Sequence, residues 1–214
     1  MTRRTGSRAP LVDAARQLVR DGLVVGTAGN VSVRTSQGLV ITPTAVPADE
    51  LSPEQLAVLD DEGGQVGGTH RRSSEWRLHL AIYQARPDVG AVVHTHSVAA
   101  TALSVLRRPL PPIHYALHQL GGEVRVAPYA TFGSAELAQH TATTLGTAHA
   151  VLLANHGAVA VGPDLPTALE RARLVEWLGR VYLEVLKTGP PHVLTPDEMA
   201  AAGDRFQEYR PSRM

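Results

Sequence analysis

The chain has no cysteine, one lysine, no long apolar run and no surplus of either charge. Each absence removes a class of chemistry. Without cysteine there is no disulfide scaffold, no thiol nucleophile and no thiolate-bound zinc, so histidine and carboxylate are the strong metal ligands left. Of the 20 basic residues only Lys187 is a lysine. It falls late in a long helical pattern, just ahead of Thr188-Gly189-Pro190-Pro191, an unpromising place for a Schiff base. Acidic and basic residues balance at 20 each, and basic residues run no further than pairs such as Arg3-Arg4 or Arg71-Arg72. Nothing there resembles an electrostatic footprint for nucleic acid. No run of about 18 apolar residues could span a membrane, and MTRRTGSRAPLVDAARQ carries charges without the apolar stretch of a secretory signal. The cytoplasm is the compartment expected, with neither nucleic acid nor membrane as partner.

What is present suits a globular protein. At 214 residues and 43% hydrophobic, the chain is long enough to bury a full core, and a single domain over 1–214 is expected. Leu11, Ala14, Ala15, Leu18 and Val19 recur at helical spacing and stop at Asp21-Gly22. Asn30 to Thr35 and Leu39 to Thr42 read as strands joined at Gln37-Gly38. Ala57 to Asp60 starts another hairpin through the turn Asp61-Glu62-Gly63-Gly64. A helix is predicted from Ser73 to about Arg86, a strand over Val89 to His96, and a short helix from Val98. The Pro-rich RRPLPPIHY then leads to a strand over Glu123 to Ala127. Ser134 to Leu145 is helical, Ala150 to Ala154 and Ala158 to Val161 are strands, and helices follow over Pro166 to Lys187 and Pro196 to about Gln207. Hairpins mixed with interspersed helices predict an α/β sandwich with a largely antiparallel sheet.

Ten histidines remain as ligand candidates. Residues two apart on a strand project to one face, so His94 and His96 in VVHTHS present both imidazoles to one point while Thr95 faces away. The bland alternative is a pair of hydrogen-bonded core histidines. A third candidate weighs against it: His156, in ANHGA, sits between two apolar strands beside a glycine, where a sharp turn aims a ring into a cleft. Three histidines without cysteine make a zinc shell of the catalytic type, with one position open. Glu75 has a structural explanation too. A capping box needs Ser or Thr three residues ahead, and position 72 is Arg. The helix dipole still favours an anion there by about 0.3 to 1 kcal/mol. His79 lies one turn after Glu75 on the same helix face; a second metal motif is one reading of the pair, and a pair on the helix surface or behind the ligands the more ordinary one. His70, His114, His118, His140, His149 and His192 lack ligand-like spacing and read as structural or exposed.

Anion-binding groups recur as well, although the P-loop pattern is missing. Gly26-Thr27-Ala28-Gly29-Asn30 offers glycines with hydroxyl and amide groups, and Thr42-Pro43-Thr44 offers hydroxyls after a strand. Ser73-Ser74 opens a helix whose free N–H groups attract anions. Singly, each is also an ordinary turn or cap.

Six segments, GTAGNVSVR, LVITPTAVPADEL, SSEWRLHLAIYQARPDVGAVVHTHS, RRPLPPIHYALHQLGG, APYATFGSAEL and NHG, in this order, resemble the class II aldolase/adducin family. The resemblance implies an α/β/α sandwich around a central, mainly antiparallel sheet, assembled as a cyclic homotetramer with active sites at subunit interfaces. It implies a Zn2+ held by His94, His96 and His156. Glu75 matches a carboxylate that ligates the metal in the empty site and swings off it to carry a proton. A phosphate site would comprise Thr27, Gly29, Asn30, Thr44, Ser73 and Ser74. Tyr115 matches a tyrosine that reaches the site across the interface and serves the aldehyde oxygen, and Tyr209 one in the C-terminal tail that orients the aldehyde. The implied reaction splits a phosphorylated ketose, L-fuculose 1-phosphate or similar, between C3 and C4. Dihydroxyacetone phosphate and L-lactaldehyde result, through a zinc-stabilised enediolate.

Two departures stand out. Ala45 replaces a glycine frequent in the family, and alanine opposes a positive φ. The tail beyond Tyr209, RPSRM, is short and basic. Other family reactions use the same three histidines: 4-epimerisation of L-ribulose 5-phosphate, decarboxylation of sugar-acid phosphates and dehydration of methylthioribulose 1-phosphate. The epimerase typically has Asp where this chain has Glu75. A non-catalytic adducin-like binding protein is the alternative of another class; such members lack the metal histidines, which this chain keeps.

Overall fold

Two periodicities, 2 along the strands and 3.6 along the helices, build three layers. The computed structural model describes residues 8–36 and 38–208. Its strands are β1 (Asn30–Thr35), β2 (Gly38–Ile41), β3 (Ala57–Leu59), β4 (Gln65–Gly67), β5 (Ala91–Thr95), β6 (Val126–Ala127), β7 (Ala150–Leu153) and β8 (Gly157–Gly162). They form one sheet in the order β4-β3-β2-β1-β5-β8-β7-β6. Neighbours run antiparallel except for β6 and β7.

Alternation along β5 sorts the core into two halves. Ala91 and Val93 join residues of α1 (Ala9–Arg20), α3 (Val98–Leu106) and α5 (Leu165–Leu186) on one side of the sheet. Val92 faces the other way, with Val159 and Val161 of β8, under α2 (Trp76–Ala85) and α4 (Ala135–Leu145). Fully burying such a side chain contributes about 1.5 to 3 kcal/mol, so a one-residue slip of β5 would invert every contact and be strongly disfavoured. The expected α/β/α sandwich around a mainly antiparallel sheet is thus what forms. A sixth helix, α6 (Pro196–Glu208), packs on a 3-10 helix at Tyr115–Leu120. No helix among the described residues is long and apolar enough to cross a membrane.

The structure corrects three local expectations. The helix predicted from Ser73 starts at Trp76, because the Ser73 hydroxyl accepts the Glu75 N–H at 3.2 Å and ties the preceding residues into a turn. Proline rigidity hid the 3-10 helix at Tyr115–Leu120, whose start is fixed when His114 Nδ1 accepts the Ala116 N–H. The strand expected over Glu123 to Ala127 shrinks to Val126–Ala127, since Val124 instead bridges to Leu110.

Candidate metal centre

The sheet order places β1, β5 and β8 side by side, and the register sets Asn30 opposite His94 and His94 opposite Val159. His94 shares its face with Val92, so its ring points toward the start of α2. His96 follows just beyond β5, where its N–H is held by the Leu23 carbonyl at 3.0 Å. His156 lies in the turn between β7 and β8. Sequence reasoning credited Gly157 with that turn's sharpness, but Asn155 takes the left-handed conformation, with φ 56°. Gly157 is needed for a different reason: a Cβ there would stand 2.3 Å from the Thr95 carbonyl oxygen.

These elements bring His94, His96, His156 and Glu75 together, with one ligand atom from each lying within 4.8 Å of the others. The three imidazole centroids form a nearly equilateral triangle of 4.8, 4.9 and 4.9 Å sides. His94 Nδ1–H donates to the Ala158 carbonyl at 2.9 Å, which turns Nε2 toward the cluster. That Nε2 lies 3.0 Å from His96 Nε2 and 3.0 Å from Glu75 Oε2. Glu75 is 6% exposed, and Asn30 Nδ2 donates to its Oε2 at 3.1 Å. Its Oε1 lies 3.2 Å from His156 Nε2 but is not aligned with it, and remains a buried oxygen with no hydrogen bond. An orphaned carboxylate oxygen beside three converging imidazole nitrogens fits a divalent cation and has no cheaper structural account.

The electrostatics agree. Burial pushes His96 and His156 down to about 4, helped by the His94 charge, so both rings are neutral at neutral pH, the state a metal ligand requires. Burial works against the Glu75 charge, but His94, His156 and the Asn30 hydrogen bond overcome it and hold the carboxyl well below its ordinary range. Burial likewise opposes a charged His94, and Glu75 reverses the balance to raise it. Glu75 and His94 therefore attract each other strongly, and a cation at the cluster competes with the proton they share.

Beside the cluster opens a cleft of about 290 Å³ whose wall includes Thr27, Gly29, Asn30, Thr44, Ser73 and Ser74, together with Glu75, His96 and His156. All three segments suspected of holding an anion thus meet in one place. Gly29 takes φ 81°, and a Cβ on it would strike Val24 and the His94 carbonyl. Ala45, next to Thr44, adopts φ 57° despite its side chain, a conformation costing an L-residue about 1 to 2 kcal/mol. The turn is kept where glycine was expected. Tyr129 and Phe132 form an exposed rim that sequence reasoning missed.

Tyr115 is not brought to this cleft. It is 54% exposed, its ring stacked on His114 at 4.3 Å and set 5.8 Å from Phe206. Tyr209 lies outside the described residues. Lys187 caps the end of α5 and pairs with Glu184 at 2.7 Å, away from the cleft, so among the described residues no amine is placed for a Schiff base. His79, read as a surface pair or as lying behind the ligands, is fully buried behind them.

An α/β/α layering with a three-histidine, one-carboxylate cluster that could hold a metal ion points to one class of enzyme, and the comparisons with known proteins name it. Residues 9–183 match the Class II Aldolase and Adducin N-terminal domain, and the chain belongs to that family. A 5-methylthioribulose-1-phosphate/5-deoxyribulose-1-phosphate aldolase of Rhodospirillum rubrum is 44% identical over 207 residues, covering 96% of this chain and 93% of its own. An L-fuculose phosphate aldolase of Escherichia coli K12 is also 44% identical, over 201 residues and 93% of both chains. A solved L-fuculose 1-phosphate aldolase superposes with a TM-score of 0.92 at 38% identity, over 95% of this chain and 97% of that one. Within the family the chain is an aldolase, a lyase of the metal-dependent class II type.

Proposed function

We propose that this aldolase works as one domain over the whole chain and cleaves a ketose 1-phosphate between C3 and C4, with L-fuculose 1-phosphate as first substrate and dihydroxyacetone phosphate and L-lactaldehyde as products. The observation that carries the reading is the orphaned Glu75 Oε1, set between three histidines and a cleft rich in hydroxyls and backbone N–H groups. A second substrate, 5-deoxyribulose 1-phosphate, is favoured equally by the relative of that name at the same 44% identity. Both sugars release dihydroxyacetone phosphate and differ in the aldehyde.

His94, His96 and His156 would hold a Zn2+, with Glu75 as a further ligand, and the ion would supply the Lewis acidity that a carbanion next to a ketone requires. Thr27, Gly29, Asn30, Thr44, Ser73 and Ser74 seat the phosphate and fix the reacting carbons against Glu75. In the synthetic direction Glu75 takes the proton from the carbon beside the ketone, and Tyr115 of a neighbouring subunit gives one to the aldehyde oxygen. Cleavage runs these transfers in reverse. Tyr209 orients the aldehyde, and a homotetramer supplies the interface.

The test combines metal analysis with a substrate panel. Protein purified without chelator should carry about one Zn2+ per chain and release dihydroxyacetone phosphate from one of the two deoxyketose phosphates. Glu75→Gln should keep the metal and lose cleavage. A metal-free protein of full activity, or a panel showing pentulose-phosphate interconversion without dihydroxyacetone phosphate, would defeat the reading.

A further inference from the structure

Behind Glu75 lies a row of buried polar groups in which His79, Ser32 and Tyr83 have no part in the reaction as described, and Asn30 only its place at the phosphate. Glu75, His79 and Tyr83 recur at a spacing of four along α2 and its cap, while Asn30 and Ser32 recur at a spacing of two on the face of β1 beneath it. Tyr83 hydroxyl meets Ser32 Oγ at 2.8 Å, and Ser32 Oγ meets His79 Nδ1 at 2.7 Å. His79 Nε2 meets Asn30 Oδ1, and Asn30 Nδ2 meets Glu75 Oε2 at 3.1 Å. Ser32 and His79 are 0% exposed.

One charge at the end of this row sets the direction of every hydrogen bond in it. A carboxylate only accepts, so the Asn30 amide must turn its N–H to Glu75 and its oxygen to His79. His79 must then carry its proton on Nε2, leaving Nδ1 to accept from Ser32, whose oxygen accepts from Tyr83. Burial, followed by the nearby His94 charge, pushes His79 down to about 3, so the ring is neutral and has a single N–H to place. Apolar residues of the same shape would fill this space at little or no loss of stability. Stability alone therefore does not account for five matched polar groups ending on the proton carrier.

We propose that His79, seated by Ser32 and Tyr83, is a positioning residue that locks the Asn30 amide onto Glu75 Oε2 and so leaves Oε1 as the oxygen that exchanges the proton. The proposal rests on Glu75 being the proton carrier. Its test uses dihydroxyacetone phosphate alone in deuterated water, where exchange of the carbon-bound proton reports the Glu75 step whatever the aldehyde. His79→Phe should slow exchange at saturating dihydroxyacetone phosphate about tenfold to a hundredfold, as expected for one hydrogen bond to a charged group. KM and metal content should stay within about twofold. His79→Gln, which can donate and accept at the same two points, should recover most of the rate. If His79→Phe does not fold, Ser32→Ala serves in its place, with slowed exchange at unchanged metal content expected. In metal-free, 15N-labelled protein, the His79 ring should show its proton on Nε2. A proton on Nδ1, equal losses in His79→Phe and His79→Gln, or a loss that follows metal content would each overturn the proposal. A wild-type protein that exchanges no proton removes the reading of Glu75, and this proposal with it; exchange that persists in both His79→Phe and Ser32→Ala removes the proposal alone.

Discussion

At the scale of single residues, His79 shows how a site's polar support is felt in stability. Its ordinary value of 6.5 falls to about 3 in the folded chain, chiefly through burial. Between those values the unfolded chain binds a proton that the folded chain refuses, so stability from this residue is complete above pH 6.5 and is lost as pH falls toward 3. By pH 5 the loss from His79 is about 2 kcal/mol. His79→Gln does not titrate, so the difference in unfolding free energy between pH 7 and pH 5 should shrink by about that amount in the metal-free protein. Urea unfolding at the two pH values measures it. An unchanged difference would mean that His79 is not held as a buried neutral ring.

At the scale of elements, α3 is fixed by a residue far away in the chain. Its cap, Ser97, makes no side-chain hydrogen bond. Glu176 of α5, 4% exposed, instead accepts the Ala99 and Ala100 N–H groups at 2.9 and 3.1 Å. Because α3 begins at Val98, two residues after His96, this contact also steadies a proposed metal ligand. Glu176→Ala should lower stability by about 2 kcal/mol, the worth of losing a charged acceptor at a helix start, with metal bound more weakly than in wild type. Wild-type stability in a chemical melt would contradict that. The same distinction between local and distant partners decides what could be read from the sequence. His94 and His96 were legible because residues two apart in an extended segment share a face, although β5 itself ends at Thr95, and His156 because its turn is framed by two apolar strands. Ser73's bond to the Glu75 N–H, which delays α2, could not be read from periodicity, since it is a single side-chain contact. Nor could the match of Asn30 and Ser32 to His79 and Tyr83 be read, because it depends on β1 lying under α2, more than 40 residues later in the chain. Glu176 was invisible for the same reason. The suspected anion segments each looked like an ordinary turn until the sheet order placed them around one cleft.

At the scale of the whole molecule, one chain leaves apolar surface exposed on neighbouring elements. Val98, Val105 and Leu106 of α3 are 70%, 53% and 53% exposed, Tyr115 is 54% and Trp177 of α5 is 47%. His114 joins the last two, stacked on Tyr115 and edge-on to Trp177 at 5.1 Å. Apolar surface of this extent favours burial against another subunit, and Tyr115 stands within it rather than in the cleft of its own chain. If a neighbour's Tyr115 completes each site, Glu75→Gln and Tyr115→Phe are defects in different halves of the same site. Alone, Glu75→Gln should be inactive and Tyr115→Phe strongly impaired. Mixed oligomers, isolated with two affinity tags after co-expression, should regain activity, because some sites then combine an intact Glu75 with a neighbour's intact Tyr115. For random mixing in a cyclic assembly about one site in four is intact, since each of its two halves is correct about half the time. Activity no greater than the average of the two separate variants would place both residues' work within one chain and remove the interface from the reaction.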